Sequence, residues 1–176
     1  MIDFSRNHFE LFGLPERFRF DSAKLDHAYR ALQSEVHPDR FATATETEQR
    51  LAMQSSARVN EAYRALKDPV ARAQYLLGLH GVDVATEPRV QLALEFLERQ
   101  LERREVAAAA EAAGDAEALE ALLGEVRAEA AGLEQRIAAL LDNDAAWDAA
   151  GPPVRELRFL AKLAEDLNTM IAAQDG

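Results

Sequence analysis

His37 and Asp39 flank Pro38 in the stretch EVHPDRFA, at the point where a helical pattern stops. Proline disfavours helical geometry at the residue before it and offers no backbone N–H, so the helix must finish at or just before His37 and the turn is rigid. The turn thus holds an imidazole, which can donate or accept, beside a carboxylate, which accepts. At an exposed helix end such a pair suits hydrogen bonding to a partner. Side chains for catalysis are missing or scattered elsewhere. The chain has no cysteine, which removes disulfides, thiolate nucleophiles and Cys-ligated zinc or iron–sulfur clusters. His8, His27 and His80 pair neither with one another nor with carboxylates at metal-ligand spacing, so no metal site and no cofactor are expected. No glycine-rich phosphate loop occurs and no serine sits in a nucleophile elbow, so an enzyme is not expected. Glu98, Glu102 and Glu105 alternate with Arg99, Arg103 and Arg104, a pattern of surface pairing worth about a few tenths of a kcal/mol per pair.

Helices must position these groups. Strand signals are scarce while apolar positions recur at helical spacing, which predicts an all-α protein. Asn7 can cap a short helix over His8 to Phe12, stopped by Gly13 and Leu14-Pro15. Asp21 precedes an amphipathic helix with Leu25, Ala28, Tyr29, Leu32 and Val36 on one face, reaching to about Val36. After the loop FATATE, a third helix turns Ala52, Ser55, Val59, Ala62, Tyr63 and Leu66 inward. Asp68-Pro69 caps and opens a fourth, which carries Tyr75, Leu76 and Leu79 and ends at Gly81.

The periodicity lapses from Val82 to Thr86, and Glu87-Pro88 restarts it as a long helix to about Ala113. Gly114-Asp115 turns into a second long helix with Leu119, Leu122, Val126, Leu133, Ile137 and Leu140 near heptad spacing. The stretch LDNDAAWDAAGPP breaks the pattern, with Trp147 as an anchor pinning the loop onto the bundle, and Pro153 begins a last helix lined by Leu157, Leu160, Leu163 and Leu167. Three helices joined by short connections predict an antiparallel bundle.

At 176 residues and 48% hydrophobic content, the chain can bury a core in one large domain or two small ones. A formal net charge of −11 repels phosphate backbones and anionic membranes, so neither nucleic acid nor membrane is expected as a partner. The N-terminus lacks a basic start followed by an apolar core, and no apolar run approaches the length of a membrane span, which predicts a soluble, cytoplasmic protein.

The order of short helix, basic-faced helix, His-Pro-Asp, long helix and Asp68-Pro69-x-x-Arg72-x-x-Tyr75 resembles a J-domain. The resemblance implies a co-chaperone that docks on an ATPase chaperone of the DnaK class and accelerates ATP hydrolysis. By carry-over, the His37-Pro38-Asp39 turn would make the essential contact with the chaperone, with Arg40 beside it as a further chaperone-binding residue, and Lys24, His27 and Arg30 would face an acidic groove of the chaperone. Two departures bear on this. Asp26 and Glu35 thin the basic face, which weakens steering, and Arg40 stands where lysine is common, keeping the charge but not the hydrogen-bond geometry.

Across nearly all of its length the chain is similar to the HscB family, J-domain co-chaperones of iron–sulfur cluster assembly, through FELFGLP, VHPDRFA, YLLGLHGVD, EFLERQLERRE, LDNDAAWDAA and VRELRFLAKL. That resemblance implies a J-domain over 1–81 built as four helices around an antiparallel hairpin, a linker at 82–88, and a three-helix bundle over 89–176 that binds an IscU-type scaffold and presents it to an HscA-type chaperone. It also implies scaffold-binding roles for Leu97, Glu98, Leu101, Glu102, Glu105, Arg158 and Phe159. Glu98 departs from the pattern, because several members place an apolar residue there. A monomer is expected.

The helical step allows a check from geometry. With Leu97 at zero and about 100° per residue, Leu101 falls near 40°, Glu105 near 80°, Glu98 near 100° and Glu102 near 140°. Leu92, Ala93 and Phe96 form a second stripe on the far side. Phe159 lies off the face of Leu160, Leu163 and Leu167, and beside Leu97 and Leu101 it would complete an apolar patch rimmed by carboxylates. The opposite arrangement, with Leu97 and Leu101 joining Val90 and Leu94 as core and the glutamates as solvated edge, is left open by periodicity alone. A rival of another class is a structural helical protein that pairs through the near-heptad face from Leu119 to Leu140.

Overall fold

The computed structural model describes residues 2–84 and 92–174, and these form helices with no strand. The expected all-α class, four helices ahead of a three-helix bundle, holds among the described residues, with two short helical turns besides. Contacts divide the chain into two compact units, Met1–Leu76 and Leu77–Gly176. That division falls ahead of the expected domain end at 81, and positions 85–88 of the expected linker lie outside the described residues.

In the first unit α1 (His8–Leu11) is closed by a capping box between Asn7 and Glu10. Helix α2 (Ser22–Val36) starts at the Asp21 cap, and α3 (Glu46–Lys67) starts at a second capping box, Thr45 with Glu48. Partners descend along α3 as they ascend along α2, from Asp26 with Lys67, through Tyr29 with Asn60, to Gln33 with Ser56, so the two helices form an antiparallel hairpin. Its seam buries Leu25 and Val36 with Ala52, Val59, Ala62 and Leu66. Tyr63, expected inside, is half-buried: its ring stacks on Tyr29 at 4.0 Å and its hydroxyl donates to Asp26 at 3.0 Å. Helix α4 (Pro69–Leu79) follows the Asp68 turn. Leu76 and Leu77 are buried there, whereas Leu79 is exposed.

The second unit is a three-helix bundle of α5 (Leu94–Ala113), α6 (Ala116–Ala138) and α7 (Trp147–Gln174). Gly114, at φ 68°, ends α5 in the left-handed geometry that glycine adopts without strain, and Asp115 caps α6. Leu119, Leu122, Val126, Leu133 and Ile137 are buried, and α6 packs along α7 and on α5, so the near-heptad stripe is spent within the chain.

Two helix starts differ from the sequence expectation. Helix α5 begins at Leu94, because Ala93 is extended, while the expected start at Glu87-Pro88 lies outside the described residues. Helix α7 begins at Trp147 rather than Pro153, and carries Pro152 and Pro153 inside it. Packing overrides the local cost of those prolines: Ala150, Gly151, Pro153 and Val154 are buried, and Trp147 stacks on His80 at 3.5 Å. Trp147 therefore opens the helix and stacks on His80, ahead of the bundle, rather than pinning a loop onto the bundle as expected. Among the described residues no helix is long and apolar enough to cross a membrane.

Candidate functional site

Two exposed surfaces carry the residues singled out by the sequence, one in each unit. In the first, α2 ends at Val36 and Pro38 opens a 3-10 turn over Pro38–Phe41. His37 Nδ1 accepts from the Asp39 backbone N–H at 3.3 Å, which leaves Nε2–H as the donor the ring can offer. Arg40 Nη1 donates to the Ser34 carbonyl at 3.1 Å and so satisfies an acceptor that the end of α2 leaves open. Proline at the first position, the histidine cap and the arginine clamp together stiffen the corner. The His37 and Asp39 side chains remain 53% and 90% exposed. Arg40 therefore has a structural bond of its own beside any contact with a partner.

Lys24, His27 and Arg30 are all exposed on α2. Asp26, which seemed to thin this basic face, turns to α3, where Lys67 meets it at 2.7 Å. The Lys67 ammonium and the Tyr63 hydroxyl hold its carboxyl below its ordinary value. Glu35 is exposed and keeps its place beside the corner.

In the second unit the two stripes of α5 are told apart. Phe96 is buried, at 2% exposure, together with Gln100, Ala107 and Ala110, whereas Leu97 is 42% exposed, Leu101 62% and Phe159 39%. Leu94 is exposed as well, so the arrangement that made these leucines core does not occur; Val90 lies outside the described residues. Phe159 meets the buried Phe96 edge to face at 6.2 Å, which ties the outer aromatic to the core one. Polar contacts hold α5 to α6: Arg103 donates to Glu129 at 2.6 Å and Arg99 lies 3.8 Å from the same carboxylate. On α7, burial pushes the Glu156 carboxyl up, with Glu129 adding to the effect and Arg136 and Arg99 opposing it.

Leu97, Arg158 and Phe159 line one groove of about 590 Å³, together with Leu92, Arg104, Arg155 and Lys162. The lining of this groove is cationic, and the carboxylates expected around the apolar patch stand on α5 outside it. Glu98, Leu101 and Glu105 are exposed on α5, and Glu102 lines a separate groove with Val106, Leu122 and Glu125. The helical step explains the separation, since Glu102 lies about 140° round from Leu97 and so on the α6 side. Arg104 was legible by the same rule: one heptad after Leu97, it returns to within about 20° of the same line. Arg155 and Lys162 gave no such signal, because their place depends on how α7 meets α5.

Two family models match: DnaJ domain over residues 7–75, and HSCB C-terminal oligomerisation domain over 92–168. Curated relatives align over almost the whole chain. The co-chaperone protein HscB homolog of Paraburkholderia xenovorans (strain LB400) is 46% identical over 171 residues, 97% of both chains, and that of Ralstonia nicotianae (strain ATCC BAA-1114 / GMI1000) is 48% identical over 162 residues, 92% of both. The chain belongs to the HscB family. Among solved structures, chaperone HscB from Vibrio cholerae is similar with a TM-score of 0.85 and 37% identity, covering 96% of this chain and 99% of that one. The human co-chaperone protein HscB gives 0.86 at 29% identity, covering 96% and 83%. A DnaJ domain ahead of the HscB C-terminal domain makes the chain a J-domain co-chaperone with a non-enzymatic role, which implies a chaperone of the DnaK class as its partner.

Proposed function

We propose that this chain is a two-site adaptor that stimulates the ATPase of an HscA-type chaperone and delivers an IscU-type iron–sulfur scaffold to it during cluster maturation. The J-domain, taken as 1–81, engages the chaperone through His37, Pro38, Asp39 and Arg40, with Lys24, His27 and Arg30 steering. Beyond a linker at 82–88, the bundle, 89–176, holds the scaffold through Leu97, Leu101 and Phe159, with Glu98, Glu102, Glu105 and Arg158 around them. Membership of the HscB family supports the assignment. The observation that carries it is the stiffened corner, whose imidazole and carboxylate stay open to a partner. Tethering both partners on one chain raises the scaffold's effective concentration at the chaperone without new contacts.

The working form is a monomer in the cytoplasm. The near-heptad stripe, the main support for a self-pairing structural protein, is buried against the chain's own helices. Light scattering that gives a stable dimer at micromolar concentration would contradict the monomer. For the adaptor itself, single-turnover ATP hydrolysis by the HscA-type chaperone is measured with the chain, with the scaffold and with both. The rate rises with the chain alone and further with both; no rise in either case refutes the proposal.

A further inference from the structure

The groove between α5 and α7 has a charge opposite to that of the whole chain. Arg104, Arg155, Arg158 and Lys162 line it around Leu92, Leu97 and Phe159, and among the described residues no carboxylate lines it, although the net charge is −11. Two of these cations are occupied: Arg155 donates to the Val84 carbonyl at 2.7 Å, and Lys162 lies 3.0 Å from Glu165 and 3.1 Å from Asp166. Arg104 and Arg158 are exposed, and among the described residues neither has a carboxylate partner. The outward surface of α5 also changes sign across its leucines, with Arg104 about 20° to one side of Leu97 and Glu105, Glu98 and Glu102 about 80° to 140° to the other.

We propose that this groove seats an acidic segment of the scaffold partner, with one apolar side chain lodged between Leu97 and Phe159 and carboxylates received by Arg104 and Arg158. The proposal rests on the scaffold-binding reading of the bundle and adds the chemistry of what is bound. A guanidinium receives a carboxylate through two parallel hydrogen bonds, and the apolar floor, once covered, excludes the water that would weaken them. The sign change sets direction: a segment docked the other way round would bring its carboxylates against Glu98 and Glu102. Nucleic acid would match the arginines through phosphate, but the apolar floor offers it nothing and the net charge repels it. A second copy carries the same −11 and meets the same repulsion.

Calorimetric titration of the full-length chain with the IscU-type scaffold of the same organism, at low and high salt, tests this. Arg104→Glu and Arg158→Glu are each expected to raise Kd by at least about tenfold, and the double variant by about a hundredfold, with the salt dependence of binding flattened. Arg104→Gln and Arg158→Gln give smaller losses in the same order, and serve as the readout where a reversed variant does not melt like the parent. The combined Leu97→Ala and Phe159→Ala variant is the control. If it weakens binding while the arginine variants bind as the parent does, the acidic segment is refuted and the scaffold reading stands. If none of the variants alters binding, the scaffold reading fails and takes the proposal with it. A dimer in light scattering that Arg104→Glu dissolves makes the occupant a second copy and also overturns the proposal.

Discussion

The separation of core and surface stripes on α5 can be measured by truncating one residue from each. Phe96 is 2% exposed and its ring meets Phe159. Phe96→Ala removes that burial and leaves a cavity, a loss of about 3–5 kcal/mol. A fully buried leucine contributes about 1.5–3 kcal/mol, and with Leu101 62% exposed only about a third of that applies, so Leu101→Ala costs about 0.5–1 kcal/mol. For a domain of this size each kcal/mol moves Tm by about 4–8 °C. The first variant then melts more than about 12 °C below the parent and the second within about 8 °C of it. Circular dichroism melts, with urea midpoints at constant m-value, give both numbers. Equal losses would mean that Leu101 is core, and would remove the outer stripe as a binding surface.

His8 is buried against Tyr75, its ring stacked at 4.0 Å and its Nδ1 without a hydrogen-bond partner, and burial lowers its pKa, with Arg58 adding to the effect. The unfolded chain therefore binds this proton first, so the first unit loses stability as the pH falls below the ordinary value of 6.5, and the loss levels off below the depressed pKa. Urea unfolding at neutral and mildly acidic pH should show this slope in the parent and a flatter one in His8→Phe; identical slopes would refute the assignment. Glu129→Gln takes the charge from the partly buried Arg103 pair and should destabilise the bundle by about 1.5–3 kcal/mol in urea, whereas no change would mean that water serves Arg103 as well.

Much of the fold was legible because local chemistry and packing agree. Asn7, Asp21 and Asp115 cap the helices they precede, and the stripe from Leu119 to Ile137 is buried as its spacing requires. The sequence misleads where packing overrides local preference. Pro152-Pro153 reads as a helix start, yet Trp147 on His80 and the buried Ala150 and Gly151 carry α7 through it. His8 and Gln100 are polar residues at inward positions, where composition argues for surface. At the His37-Pro38-Asp39 corner the turn and its proline were evident, but the Arg40 clamp on Ser34 follows from the 3-10 path of the chain after Pro38. At the bundle, Leu97 and Leu101 shared a side by spacing alone. Which stripe faced out was decided by Phe96, the larger side chain, entering the core.

In the proposed function an imidazole held on a proline-locked corner is what accelerates the chaperone's ATPase. Single-turnover hydrolysis by the HscA-type chaperone should be accelerated by the parent chain and left at its basal rate by His37→Gln, whose melting should match the parent because His37 is exposed. Acceleration by the variant equal to that of the parent would contradict the account.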